Sequence, residues 1–442
     1  MKKMIRTTAA LLTAGMLLTG CNTGNISGTP GSRVPDEPVA PSVPVTENDK
    51  VGERTGMDLA GIGNATYDQE TQDAYLEFAL SLYNHSFEYA QANENTMISP
   101  ASVLFALGMT SAGAGGNTLE QMVNTMAPGQ DAYSLHAFAG DYNRRLNSSE
   151  DIMVRSANSI WINESKEASV YSDFLDYVTE TYDAQIGSVP FDPSGVETMN
   201  NWVNSMTNGM IDRIVSDELT PDAFMVLINA IAFEAEWSDE FSEDMIHDGT
   251  FRNSDGSTSD VTMLREEEGR NYFETDFATG FARYYGDQNE YYFLAILPTD
   301  ETVSANDFAA SLTAEDYSEF INSRTMDYNV IYELPEFESD YNIGLNRILQ
   351  DMGIVDAFDE NTADFSNMSD TGAYITSVIH KTHIEVDSEG TRAAAATAVF
   401  TGDACVMEPD NSRCVILDRP FAYAIVESST GLPLFIGTVN SL

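Results

Sequence analysis

Basic residues are scarce in this chain of 442 residues: 21 Lys and Arg stand against 70 Asp and Glu, a formal net charge of -49. So acidic a surface repels phosphate backbones and anionic headgroups instead of releasing their counterions, which argues against nucleic-acid binding. The acidity serves solubility in a salty or crowded medium, or it steers a cationic partner. A Gly-x-Ser-x-Gly elbow, a His-Glu-x-x-His helix and a phosphate-binding glycine loop are all missing, and carboxylate pairs carry no information in a chain this acidic. A hydrolase would need a nucleophile with a positioned base, and none is legible, so the chain does not read as an enzyme. No cofactor or metal site is expected either. His380 and His383 stand three residues apart in a strand-like run, so they face opposite sides of a sheet and cannot share an ion. No internal repeat indicates a solenoid. What the chain has is 43% hydrophobic residues, enough to bury a substantial core in one large domain or two modest ones.

Cysteine is also scarce, with Cys21, Cys405 and Cys414 only. Lys2, Lys3 and Arg6 precede an apolar stretch from Ala9 to Leu18 that is too short to span a membrane stably and reads as an export signal over 1–20. It runs into Leu18-Thr19-Gly20-Cys21, which resembles the lipobox of bacterial lipoproteins, where the cysteine thiol takes a diacylglyceryl group. The expectation is an exported lipoprotein on the surface of a bacterial membrane, held through Cys21 alone, or shed from it. With Cys21 so used, Cys405 and Cys414 remain in a compartment where a disulfide persists, either bridged or as two thiols. From Asn22 to about Thr55 the chain carries Pro30, Pro35, Pro38, Pro41 and Pro44 among Gly, Ser, Thr and Asn, and cannot bury enough surface to fold; 21–66 is read as a tether. No second linker of that kind follows, so 67–442 is read as one domain.

Its pattern is mixed. Tyr75, Phe78, Ala79, Leu82 and Tyr83 fall at helical spacing within Thr71 to Tyr89, and Ser99-Pro100 offers a cap before Val103 to Met109. Strand-like runs follow at Met225 to Phe233, Tyr291 to Leu297, Val330 to Leu334, Tyr374 to Val386 and Phe421 to Val426. Helices first and sheet later predict an α+β fold.

The segment Val415-Ile416-Leu417-Asp418-Arg419-Pro420-Phe421, then Ala422-Tyr423-Ala424-Ile425 and Leu434-Phe435-Ile436-Gly437-Thr438-Val439, resembles the C-terminal signature of the serpin family. It departs at Ala422, where the family carries a larger apolar residue. Phe78-Ala79-Leu80-Ser81-Leu82-Tyr83, Ile98-Ser99-Pro100-Ala101-Ser102 and Leu227 to Phe233 continuing to Trp237 and Phe241 are similar to family segments in the same order. The resemblance implies a serpin fold: a large central β-sheet, two smaller sheets, about eight or nine helices, and an exposed reactive loop near the C-terminus. It also implies that Ser99, Ser102, Asn229 and His380 form a polar cluster behind strands that part and re-pair, with Trp237 at the top of the same sheet. His380 has a second reading as a satisfied core histidine.

Asp387-Ser388-Glu389-Gly390-Thr391-Arg392-Ala393-Ala394-Ala395-Ala396-Thr397-Ala398-Val399 is unusual on its own terms. Four alanines favour helix, yet the run lies between strand-like segments and starts at a glycine that permits unusual backbone angles. As a strand it places Thr391, Ala393, Ala395, Thr397 and Val399 on one small, uncharged face, and leaves Arg392 on the other. In the resemblance this is the hinge of a reactive loop spanning 387–414, and small residues here resemble the inhibitory members; Ser388 departs, since inhibitors carry a glutamate there. The implied function is inhibition of serine-type endopeptidases as a suicide substrate, trapped covalently while the loop inserts into the central sheet. The alternative is a non-inhibitory surface binding protein of the same fold. Fourteen positions after Gly390 the resemblance places the reactive bond at Ala404–Cys405, with Val406 or Met407 as alternatives because the stretch to Pro420 is about five residues longer than usual. An alanine there suits an elastase-like or subtilisin-like partner, and the chain is expected to act as a monomer.

Overall fold

The computed structural model describes residues 69–91, 93–148, 153–216, 219, 221, 223–391 and 411–442. The expected signal and tether, with Cys21, therefore lie outside the described residues. Helical spacing becomes helix where the sequence predicts it: Gln69–Ser86 buries Tyr75, Phe78, Ala79, Leu82 and Tyr83 along one side. Ser99 caps the next helix, Pro100–Ala112, its hydroxyl accepting the Ser102 N–H at 3.3 Å while Pro100 fills a first-turn position that needs no donor. That helix is buried on nearly every side, as its lack of any charged residue requires. Gly116–Met126, Ala132–Leu146, Ser172–Tyr182 and Pro193–Met206 complete the helical first half.

Three sheets follow among the described residues, and the class is α+β. One has the spatial order Thr96–Ile98, Pro433–Val439, Phe421–Glu427, Tyr291–Pro298, Ala278–Tyr285, Tyr272–Glu274. A four-stranded sheet runs Ser412–Ile416, Asn329–Pro335, Thr258–Gly269, Ile246–Arg252. The central sheet runs Phe337–Gly344, Ile379–Val386, Gly390–Thr391, Met225–Glu236, Met153–Asn163, Gln185–Val189. Helix Pro193–Met206 covers part of its outer face, where Val196, Met199 and Trp202 pack with Trp161, Ile228 and Ala230. The inner face meets the large core shared with helices Gln69–Ser86 and Pro100–Ala112.

One stretch departs from the sequence reading. Tyr374 to Val378 is strand-like in composition, but the ladder begins only at Ile379. The backbone before it is engaged elsewhere: Ile375 N–H donates to the Ala357 carbonyl at 2.8 Å, Val378 N–H to Asn346 Oδ1 at 2.7 Å, and Asn346 Nδ2 to the Thr376 carbonyl at 2.9 Å. β-Propensity yields there to local partners.

Candidate functional site: a gap in the central sheet

The site is made by a strand of two residues. Gly390–Thr391 runs antiparallel to both neighbours, with Thr391 opposite Val386 on one side and Ala235 on the other. It therefore joins Ile379–Val386 to Met225–Glu236 only at their tops. Below it lies a cavity of about 300 Å³, with Val226 to Asn229 on one bank, Tyr374 to His380 on the other, and Ser102, Ala106 and Thr110 of the buried helix as floor. Among the described residues no ladder joins these two strands below Thr391, so the sheet is not closed at this point.

The top is held by a tight set of contacts. Asp387 Oδ1 accepts the N–H groups of Glu389 and Gly390 at 2.8 and 3.0 Å, and Asp387 N–H donates to the Gly390 carbonyl at 3.0 Å, which folds the chain back on itself. The Trp237 indole donates to the Asp387 carbonyl at 2.9 Å and its backbone N–H to the Glu389 carbonyl at 2.8 Å. Tyr285 stacks on Trp237 at 4.5 Å and shares a hydrogen bond of 2.7 Å with Thr391 Oγ1. Thr391 is 2% exposed. Gly390 matters for a reason other than the unusual backbone angles read from the sequence. Its φ is not among the positive ones, but a Cβ there would run into the Ala235 carbonyl. Ser388 contributes its carbonyl, which accepts the Phe241 N–H at 3.0 Å.

Polar networks line the banks. His380 Nε2 accepts the Ser99 N–H at 3.0 Å, so the proton of the neutral ring sits on Nδ1, and the Ser99 hydroxyl donates to the Leu434 carbonyl at 2.9 Å. Across the gap, Asn229 Nδ2 donates to Asn158 Oδ1 at 2.6 Å, and Asn158 Nδ2 to Asn143 Oδ1 at 3.1 Å and the Tyr182 carbonyl at 2.9 Å. Asn158, Asn143, Tyr182 and Tyr285 were not singled out from the sequence, and Asp387 only as the first residue of the hinge segment. An asparagine amid the apolar residues of Met153–Asn163 was the available signal for the first.

Burial lowers His380 to about 4, and His136, whose Nδ1 lies 2.6 Å from the Tyr182 hydroxyl, also to about 4. An unfolded histidine titrates near 6.5. Between these values the unfolded chain takes up protons that the folded one refuses, so the stability these rings contribute is complete above about pH 6.5 and lost as pH falls through about 4. Each should cost about 2 kcal/mol at pH 5. Melts of wild type and His380→Gln at pH 7.5 and 5 check this: the variant should lose less on acidification, and equal losses would disprove it.

Arg392 to Thr397 of the predicted hinge, and Ala404, Cys405, Val406 and Met407 around the predicted bond, lie outside the described residues. Cys414 stands in strand Ser412–Ile416 and is disulfide-bonded; Cys405, its expected partner, lies outside the described residues.

The central sheet is thus left open between two parallel strands, with a short piece of chain seated between them at the top. The chain belongs to the serpin family: the family profile described as Serpin (serine protease inhibitor) matches residues 73–442. Members are typically inhibitors of serine proteases and not catalysts. The native state of the thermophilic serpin tengpin superposes with a TM-score of 0.76 at 37% identity, over 86% of this chain and 96% of that one. A serpin-like protein of Methanosarcina mazei is 29% identical over 87% of this chain and 88% of its own. The human leukocyte elastase inhibitor is 29% identical over 84% of this chain and 100% of its own.

Proposed function

We propose that this chain inhibits elastase-like or subtilisin-like serine proteases as a suicide substrate, by inserting residues 392 onward into the gap after cleavage, behind the Thr391 already seated there. The observation that supports it is the seating of Gly390–Thr391 between strands that have no partner for one another below. Continuing that register places Ala393 between Ile384 and Phe233, Ala395 between Thr382 and Ile231, and Thr397 between His380 and Asn229, all on the buried face. Small side chains fit there, and Thr397 brings a hydroxyl to where both polar networks end. On the outer face Arg392 comes between Glu385 and Glu234, so the one charge in the run meets two of opposite sign. About fourteen residues at ~1 kcal/mol net per added hydrogen bond give on the order of 10 kcal/mol to drive insertion, and the uncleaved form is then a kinetic trap. A protease still joined as an acyl-enzyme is dragged along a strand of roughly 50 Å at ~3.3 Å per residue. A shift of ~1 Å in its catalytic groups suffices to stop deacylation. Incubation with an elastase-like protease followed by denaturing electrophoresis tests this: a band at the summed mass is expected, whereas cleavage without it would leave the chain a substrate or a binding protein of the same fold.

We further propose export and lipid attachment at Cys21, supported by Leu18-Thr19-Gly20-Cys21 and the proline-rich stretch behind it. Cys21→Ala should leave the precursor unprocessed. Mass spectrometry finding an unmodified N-terminus well beyond residue 21 would contradict the assignment.

A further inference from the structure

On the outer face of the central sheet, strand Phe337–Gly344 is exposed at every second residue, and Asp340 stands directly opposite His383 of strand Ile379–Val386. Glu338 lies two residues from Asp340 and therefore on the same face. The three offer one donor atom each, all within 4.8 Å of one another. His383 Nδ1 and Asp340 Oδ1 form a hydrogen bond of 3.1 Å, and an ion replacing its proton would need to widen that separation only to the ~3.4 Å between two donors each ~2.1 Å from a tetrahedral ion.

We propose that Glu338, Asp340 and His383 form a surface site for one divalent first-row transition-metal ion, for which Zn²⁺ is the matched probe. The imidazole is the fixed ligand: its side chain is 16% exposed against the sheet, whereas the Asp340 side chain is 65% exposed and free to turn toward the ion. Donors carried on two register-locked strands are more precisely placed than donors on loops. One nitrogen among oxygens favours Zn²⁺ and its neighbours over Mg²⁺ and Ca²⁺, which prefer all-oxygen shells. The solvent-facing side leaves room for water to complete the coordination, and a chain of net charge -49 concentrates cations at its surface. Glu385 opposite Glu338 adds negative charge to that face, and Lys381 opposite Asn342 opposes it from two residues away. The separation of His380 from His383 across the sheet still holds: the partners of His383 come from the adjacent strand. An ion here fastens the strand that forms one bank of the gap to its outer neighbour without entering the gap.

Calorimetric titration of the full-length chain with ZnCl₂, and separately with CaCl₂ and MgCl₂, tests this without reference to protease trapping, so either idea can fail alone. One saturable Zn²⁺ site is expected, with much weaker Ca²⁺ and Mg²⁺ binding. Removing an outer partner of a metal ligand typically costs 10- to 100-fold in affinity, so removing a ligand should cost at least about tenfold. His383→Ala and the milder Asp340→Asn should both show that loss, while His247→Ala, which alters a ring beside Glu333 on another sheet, should not. Unchanged Zn²⁺ affinity in His383→Ala and Asp340→Asn, the absence of a saturable site, or Ca²⁺ binding as tight as Zn²⁺ would each overturn the proposal.

Discussion

Thr391→Arg should turn the protein from an inhibitor into a substrate, cleaved by the protease it would otherwise hold. The threonine is buried between Val386 and Ala235 with its hydroxyl on Tyr285. A guanidinium there would have to be buried on the inner face against the Trp237–Tyr285 stack, at a cost of several kcal/mol. If that cost falls on insertion, the rate drops about a hundredfold or more, and deacylation wins the race. The uncleaved fold should suffer less, because two residues can leave the sheet top and return the arginine to solvent; a loss of about 1–2 kcal/mol in a melt is expected. A change at Arg392 should matter less than one at Thr391, since alternation along an inserted strand would turn residue 392 to the outer face. Stoichiometry of inhibition by titration of a fixed amount of protease reads the effect. Complex formation at unchanged stoichiometry in Thr391→Arg would mean that insertion does not begin at this residue.

Cleavage between Ala404 and Cys405, and with it trapping of elastase-like or subtilisin-like proteases but not trypsin-like ones, is the second expected result. Strand Gly390–Thr391 on one side and strand Ser412–Ile416 on the other, next to which Asn411 Nδ2 donates to the Asp327 carbonyl at 2.9 Å, bracket the predicted bond. From 393 to 410 the sequence holds no Lys or Arg. Arg413 is no substitute, since it lies in strand Ser412–Ile416 with its guanidinium 3.8 Å over the Tyr328 ring. Val406 and Met407, the alternatives, are also apolar, so the exclusion of trypsin-like partners survives a shift of the register to either. We propose a Cys405–Cys414 bridge, in which case both cysteines stay on the C-terminal fragment and the two fragments separate under denaturing, non-reducing conditions. Sequencing that fragment should return Cys405 first; a start after Arg392 or Arg413 would refute the assignment.

The helix Gln69–Ser86 and the strand Asn329–Pro335 were legible because burial of one face imposes a period on the sequence, and the strands Tyr291–Pro298 and Phe421–Glu427, buried throughout, because such a strand leaves a short continuous apolar run. Tyr374 to Val378 misled because composition reports how well a residue suits a pleated surface, not whether a neighbouring strand is present, and here the neighbour is a gap. The same limit applies at Gly390. Sequence shows that a side chain is absent there, but only coordinates show that the Ala235 carbonyl occupies the space. Asn158 and Asn143 were illegible for another reason: their partners come from a helix, a strand and a distant carbonyl, and a network of that range leaves no local spacing. The donor group on the outer face stayed hidden likewise, since register across two strands, and not separation along one, brings Asp340 to His383.

Loop insertion itself is read from a crystal structure of the chain after cleavage in the loop. The expected result is a central sheet with one full additional strand between Ile379–Val386 and Met225–Glu236, in the register already set by Thr391, with Thr397 between His380 and Asn229. A cleaved chain whose gap remains open, with 392–404 outside the sheet, would contradict the account.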